Sequence, residues 1–347
     1  DFFDALPMEP SKLQENLICR VARASFKLAL KGEIDFDDMI FCPAICSVSW
    51  PRPELTLVDE AQDLSAINHH ILKKIVKDRR LIAVGDPCQA IYGFRGADAQ
   101  SMQNMIEMFD MKTLYLTISF RCASSITENA HWRAPDMRSP IWAEKGIVRR
   151  PITWSAEELQ LGDAIICRNN APLFHMAIKM IEHELLPEIA GRDIATQLKK
   201  TMKKLGGQSQ LRIAALDALD DWRQKEVKRA RKGAVGGIED KAACIRIMLE
   251  RTKTLGDAMA YLDHLLSREG RIHLMTGHKS KGLEFDNVWF LDSGLCRIEH
   301  EQDANIKYVI ETRAKLQLTY VTAQSFEGVD LPEDDEEEMA LIEEDLP

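Results

Sequence analysis

Two short apolar runs, Leu55-Thr56-Leu57-Val58 and Leu81-Ile82-Ala83-Val84, constrain this chain more than any other feature. Each has the length and residue types of a buried β-strand, and each stops abruptly at polar residues. The first ends in Asp59-Glu60-Ala61-Gln62-Asp63, the second in the turn chemistry of Gly85-Asp86-Pro87. Residues 65–78 read as a helix between them. Strand, helix and strand in that order predict a parallel sheet in an α/β fold. The alternation continues, with strands expected at 113–117, 163–167, 272–275, 288–291 and 318–321. Helices are expected at 11–31, 171–186 and 240–266, and 192–232 is charged and helical in pattern. Residues 43–53 hold three prolines and read as a loop.

A chain of 347 residues exceeds what one hydrophobic core usually serves, so two domains are expected. Hydrophobic residues make up 45% and charged residues 29%, the balance of an ordinary globular protein. No apolar run approaches the roughly 18 residues of a membrane span. The first ten residues have neither the basic start nor the apolar run of a signal peptide, so a cytoplasmic location of a bacterial or phage type is expected. Of eight cysteines only Cys42 and Cys46 lie close together, which fits reduced thiols better than zinc. The net charge of -10 argues against a surface coated in basic residues, but a local groove can still hold nucleic acid. Much of the acidity lies in 333–338 and 343–345. Residues 326–347 therefore read as a disordered acidic tail and a candidate docking point for a protein partner.

Val58-Asp59-Glu60 has the form of a Walker B element. Phosphoryl transfer needs one carboxylate on Mg²⁺ and a second to orient the attacking water. Neighbouring residues at a strand end can divide these roles because their side chains point apart. A helix cap after a strand would use the same residues. About 25 residues on, Gly85 to Ala97 crowds an amide, two aromatics and an arginine between glycines. Gln89 in that loop could sense a phosphate, and Phe94 could stack on a base. Tyr92 serves equally well as core packing.

DEAQD and GDPCQAIYGFRGAD together resemble the second and third motifs of UvrD/Rep-like superfamily 1 DNA helicases. Residues 116–122, LTISFRC, are similar to the fourth motif; MTGHKSKGLEF at 275–285 to the fifth; YVIETRAK at 308–315 to the sixth. The resemblance runs in order over residues 35–325. It implies two RecA-like (P-loop NTPase) motor domains with parallel sheets, the first incomplete. Residues 1–115 would be part of the first domain, 116–205 with 270–325 the second, and 206–269 a small helical insertion. The implied activity is ATP-dependent DNA unwinding or translocation, 3′ to 5′ on single-stranded DNA or a single/double-strand junction, of the kind used in DNA repair. Asp59 would hold Mg²⁺ and Glu60 would activate water. Gln89, Arg121 and Arg313 would face the γ-phosphate of ATP, and Glu284 its ribose. Tyr92, Phe94, Thr276 and His278 would meet the DNA.

Several residues depart from the family pattern. Ser119-Phe120 stands where Asn-Tyr is usual, Cys122 replaces a serine, and Glu311 precedes Thr312 where a small or apolar residue is common. Nothing in the chain fits the phosphate-cradling Gly-x-x-x-x-Gly-Lys-Ser/Thr. Without that loop no nest of backbone N–H groups grips the phosphates. The chain is therefore read as an N-terminally truncated helicase, inactive as a fragment. The alternative is a non-catalytic, nucleic-acid-binding pseudo-helicase.

Overall fold

The computed structural model describes residues 11–46, 48–93, 96–98, 100–230 and 234–326. The chain divides into two compact units, Asp1–Leu116 and Thr117–Pro347.

In the first unit, helix α1 (Lys12–Ala29) starts at a capping box of Ser11 and Gln14, and α2 (Phe36–Ile45) at one of Asp35 and Asp38. The two are tied by Ser25 Oγ donating to Asp38 Oδ1 at 3.2 Å. Then follow β1 (Leu55–Val58), α3 (Ala66–Val76), β2 (Arg80–Ala83) and α4 (Ser101–Phe109). β1 and β2 pair in parallel, Leu55 opposite Arg80 through Val58 opposite Ala83. A small core of Ala61, Leu72, Val76 and Met105 packs against one face of this sheet. The runs were expected to be buried strands. Among the described residues only one face is covered, and Leu57, Ile82 and Val84 remain exposed on the other. The strand expected at 113–117 does not form. Leu114, Tyr115 and Leu116 are exposed, and the nearest pairing is a single bridge of Ile118 with Arg138. Strand-forming residues make a strand only where a neighbour accepts their ladder.

The second unit contains α5 (Ser124–Asn129), β3 (Ile147–Arg149), β4 (Ala164–Cys167), α6 (Asn170–Glu182) and β5 (Pro187–Ile189). Four helices follow: α7 (Arg192–Leu205), α8 (Arg212–Arg229), α9 (Val235–Glu250) and α10 (Leu255–Ser267). The chain then returns through β6 (Ile272–Thr276), α11 (Gly277–Ser280), β7 (Phe285–Leu291), α12 (Glu301–Glu311) and β8 (Ala314–Val321). Six strands form one parallel sheet in the order β3-β8-β7-β4-β6-β5. Central β4 is wholly buried, which is why it reads as an unbroken apolar run. Edge strands β3 and β5 have three residues each, too short for a periodicity to reveal.

The helix expected at 240–266 is two helices. Thr254 leaves the helical conformation and caps α10, accepting from the Asp257 N–H at 3.2 Å. The helical layer is keyed to the sheet by Asp240 of α9. Its carboxylate accepts the N–H groups of Asn170 and Ala171 at the start of α6, at 3.0 and 2.9 Å. Phe326, expected to open the acidic tail, is instead buried, its ring edge-on to Trp154 at 4.8 Å. A large aromatic side chain gains more from that contact than from water. The acidic run itself, 333–345, lies outside the described residues. No helix among the described residues is long and apolar enough to cross a membrane.

Gly146 has a φ of +65°, and a Cβ there would lie 2.7 Å from the Leu316 carbonyl and 2.4 Å from Ala123 Cβ. Backbone cannot yield as a flexible side chain does, so Gly146→Ala should destabilise the second unit by about 2 kcal/mol. Urea unfolding checks this: the midpoint should fall, and an unchanged midpoint would contradict the packing.

Candidate functional site

The end of β1 makes a sharp turn that is held by side chains. Glu60 adopts φ 50°, ψ 40°, the left-handed region, which costs a non-glycine residue of order 1–2 kcal/mol. The turn leads into a 3-10 segment, Ala61–Asp63, that buries Ala61 and Gln62. Asp59 Oδ1 accepts the Glu60 N–H at 2.9 Å. Both carboxylates face solvent.

Gln62 extends this turn to the end of β2. Its Nε2 donates to Glu60 Oε2 at 2.6 Å, and its Oε1 accepts the Asp86 N–H at 3.1 Å. Asp86 in turn caps the 3-10 segment Pro87–Gln89, accepting from the Cys88 N–H at 2.9 Å and from Gln89 Nε2 at 2.8 Å. Glu60 and Gln89 are thus joined through two side chains. Gly85 makes room for the link, because a Cβ there would sit 2.5 Å from Gln62 Oε1. Sequence reasoning found Asp59, Glu60 and Gln89 but gave Gln62 and Asp86 no role. Both stood inside the quoted motifs, which was their only signal. Tyr92 is half-buried beyond this loop, and Phe94 lies outside the described residues.

A second prop reaches the turn from α3 and α4. Ser101 Oγ donates to the Ala61 carbonyl at 2.6 Å and accepts from His69 Nε2, 3.0 Å away. Burial holds His69 below the usual histidine range; Asp98 opposes that shift and Lys73 adds to it.

In the second unit the expected residues fall on two edges of the sheet. Glu284 and Arg313 immediately precede β7 and β8, and the strands run parallel with Phe285 opposite Ala314. The Phe285 N–H donates to the Arg313 carbonyl at 2.9 Å. Arg121 Nε meets Glu284 Oε2 at 3.1 Å, so Arg121, Glu284 and Arg313 gather at the starting edge of these strands. Arg121 and Glu284 are partly exposed. Arg313 is buried, donating from Nε to the Val309 carbonyl at 2.9 Å and from Nη1 to that of Leu283 at 3.2 Å. Cys122 lies between the two arginines. Burial pushes its thiol up, against their attraction for the thiolate. Thr276 ends β6, and parallel strands put that end on the opposite edge from the start of β7. Thr276 is buried, and His278 follows it, half-buried, in α11.

Residues 12–110 match the UvrD/REP helicase N-terminal domain. That segment is similar to the N-terminal domain of UvrD/Rep-like helicases. It is 27% identical over 298 residues to F-box DNA helicase protein 1 of Schizosaccharomyces pombe, covering 76% of this chain and 33% of that protein. It is 25% identical over 316 residues to Gabija protein GajB of Bacillus cereus, covering 76% of this chain and 62% of that protein. DNA helicase II of Haemophilus influenzae is 34% identical over 109 residues, 29% of this chain and 15% of that helicase. The chain therefore spans from 15% to 62% of the length of these relatives.

The His69 prop carries a pH dependence. Its folded pKa lies below its unfolded value of about 6.5, so between the two the unfolded chain binds more protons. The stability it contributes is present above about pH 6.5 and is lost as pH falls toward the folded value. His175 of the second unit is shifted the same way, so the variant must be compared with the parent. His69→Gln should lose less melting temperature than the parent between about pH 7.5 and about pH 5.5. Parallel pH curves for the two proteins would contradict the assignment.

Proposed function

We propose that this chain carries the water-activating and phosphate-sensing parts of an ATP-dependent DNA helicase or translocase of the UvrD/Rep type, moving 3′ to 5′ on single-stranded DNA. The observation that carries the reading is the hydrogen-bonded line from Glu60 through Gln62 and Asp86 to Gln89. A carboxylate beside a strand end is common. One fastened to an amide on the next strand's loop is suited to a reaction whose progress must be felt elsewhere.

Asp59 is the residue to hold Mg²⁺. Its exposed carboxylate keeps Oδ2 clear of the bond that Glu60 makes to Oδ1, and hard carboxylate oxygens suit that ion. A metal held by Asp59 would supply positive charge against the phosphates of ATP. Glu60 orients and polarises the attacking water, and Gln62 fixes the direction of its carboxylate. Gln89 reports the γ-phosphate to the loop that carries Tyr92 and Phe94. Arg121 and Arg313 supply positive charge to the transferring phosphoryl group, where preorganised cations stabilise the transition state most. Glu284 takes the ribose hydroxyls. Thr276 and His278 contact the DNA strand, with Tyr92 and Phe94 offering ring faces to its bases.

The test is DNA-stimulated ATP hydrolysis by the gene product in its full encoded length. Glu60→Gln should lower kcat by about 100-fold or more while leaving DNA binding intact. Equal rates in the two proteins would remove Glu60 from the reaction. DNA binding without hydrolysis in the parent would favour the pseudo-helicase reading instead. Affinity for single-stranded DNA should also fall steeply as salt rises, because each phosphate contact releases a counterion. A flat salt titration would contradict a groove on the strand backbone.

A further inference from the structure

We propose that Glu311 is a positioning residue that holds the segments carrying Arg121 and Arg313 in one fixed relation. The proposal rests on the reading of both arginines as phosphate-facing groups.

Glu311 is the last residue of α12 and only 1% exposed. Each of its carboxylate oxygens receives a side-chain donor. Trp132 Nε1 donates to Oε2 at 2.8 Å and the Tyr320 hydroxyl to Oε1 at 2.7 Å. The Tyr320 oxygen also accepts from Asn129 Nδ2 at 2.7 Å. Asn129 Oδ1 accepts from Arg150 Nη2 at 3.1 Å, and that guanidinium lies 4.1 Å from the Tyr320 ring centroid. Lys307 places its ammonium 5.1 Å from the Trp132 ring centroid. The buried carboxylate thus has two donors and a positive surround, which oppose but do not cancel the upward push that burial gives its pKa.

Trp132 directly, and Asn129 through the Tyr320 hydroxyl of β8, link Glu311 to the stretch that Arg121 begins. Asn129 ends α5, which starts three residues after Arg121, and Trp132 closes the 3-10 turn that follows. The acceptor belongs to the turn that presents Arg313. That arginine hangs by Nε from the carbonyl of Val309, two residues before Glu311. Between the two segments, Cys122 Sγ donates to the Thr312 carbonyl at 3.7 Å. Moving the last turn of α12 therefore moves Arg313, and Glu311 stops that turn from sliding past α5. An apolar side chain at 311 would leave the indole N–H and the tyrosine hydroxyl without their acceptor, and an amide offers one acceptor oxygen in place of two.

The experiment is a double-mutant cycle on kcat of DNA-stimulated ATP hydrolysis by the full-length protein, with Glu311→Leu and Arg313→Ala. Glu311→Leu alone should lower kcat by about 10- to 100-fold, with KM for ATP changing far less. In the Arg313→Ala background it should cost almost nothing more, because the group it positions is gone. Full additivity would overturn the proposal, since a merely structural loss acts equally in both backgrounds. Glu311→Gln keeps one acceptor and should give an intermediate loss. It carries the same cycle where the leucine variant does not fold, and an unchanged kcat for it would overturn the proposal. If Arg313→Ala itself keeps the parent rate, the reading of Arg313 fails, and the proposal falls with it. An active-site role for Arg313 with no effect of Glu311→Gln would sink the positioning role alone.

Discussion

A buried amide sets the geometry at the end of β1. Gln62 uses both ends of its side chain, one on the Glu60 carboxylate and one on the backbone that starts the Gln89 loop. Neither contact is strong alone, at about 1.5–3 kcal/mol for a bond to a carboxylate and about 0.5–1.5 kcal/mol for a neutral one. Their value lies in direction. Glu60 sits in a left-handed conformation that an unsupported glutamate would leave, and Gly85 gives up its side chain so that Gln62 can fit. The small core under α3 and α4 then serves as a footing for that turn, through Ser101 and His69. Packing, backbone strain and hydrogen bonding in the first unit all point at the same pair of exposed carboxylates.

The second unit solves a different problem. Cations that act on a phosphoryl group must stand ready in a fixed place, since reorganising them during reaction would forfeit much of their effect. If Arg121 and Arg313 act as proposed, the parallel sheet supplies that fixed place. Two adjacent strands, β7 and β8, start side by side, so Glu284 and Arg313 are brought together from 29 residues apart by register alone. Arg121 joins them through its ion pair with Glu284. Thr276, at the finishing edge of β6, is separated from this group by the length of the sheet. One scaffold thereby offers two strand ends with different residues.

Much of this was legible in the sequence where a signal was local. β1, β2, β4, β6, β7 and β8 announced themselves as apolar runs between polar stops. The failures have physical reasons. Leu114 to Thr117 has strand composition but, among the described residues, no strand to pair with, and the break before α10 depends on one threonine choosing a cap over a helical turn. Asp59, Glu60 and Gln89 could be named from residue type and spacing. Gln62 could not, because its role lies in which atoms it touches. Glu311 was visible only as a departure from the family pattern. Its partners, Trp132 and Tyr320, are 179 and 9 residues away, and no spacing rule connects them.

The central claim is that the carboxylate pair at the end of β1 is the metal-binding, hydrolytic end of the site. Crystals of the full-length protein grown with Mn²⁺ and a non-hydrolysable ATP analogue would test it most directly. The anomalous difference map should show a peak within about 2.5 Å of an Asp59 carboxylate oxygen or one water removed from it, with Glu60 facing the terminal phosphate. A bound nucleotide whose metal lies away from Asp59 and Glu60 would contradict the account.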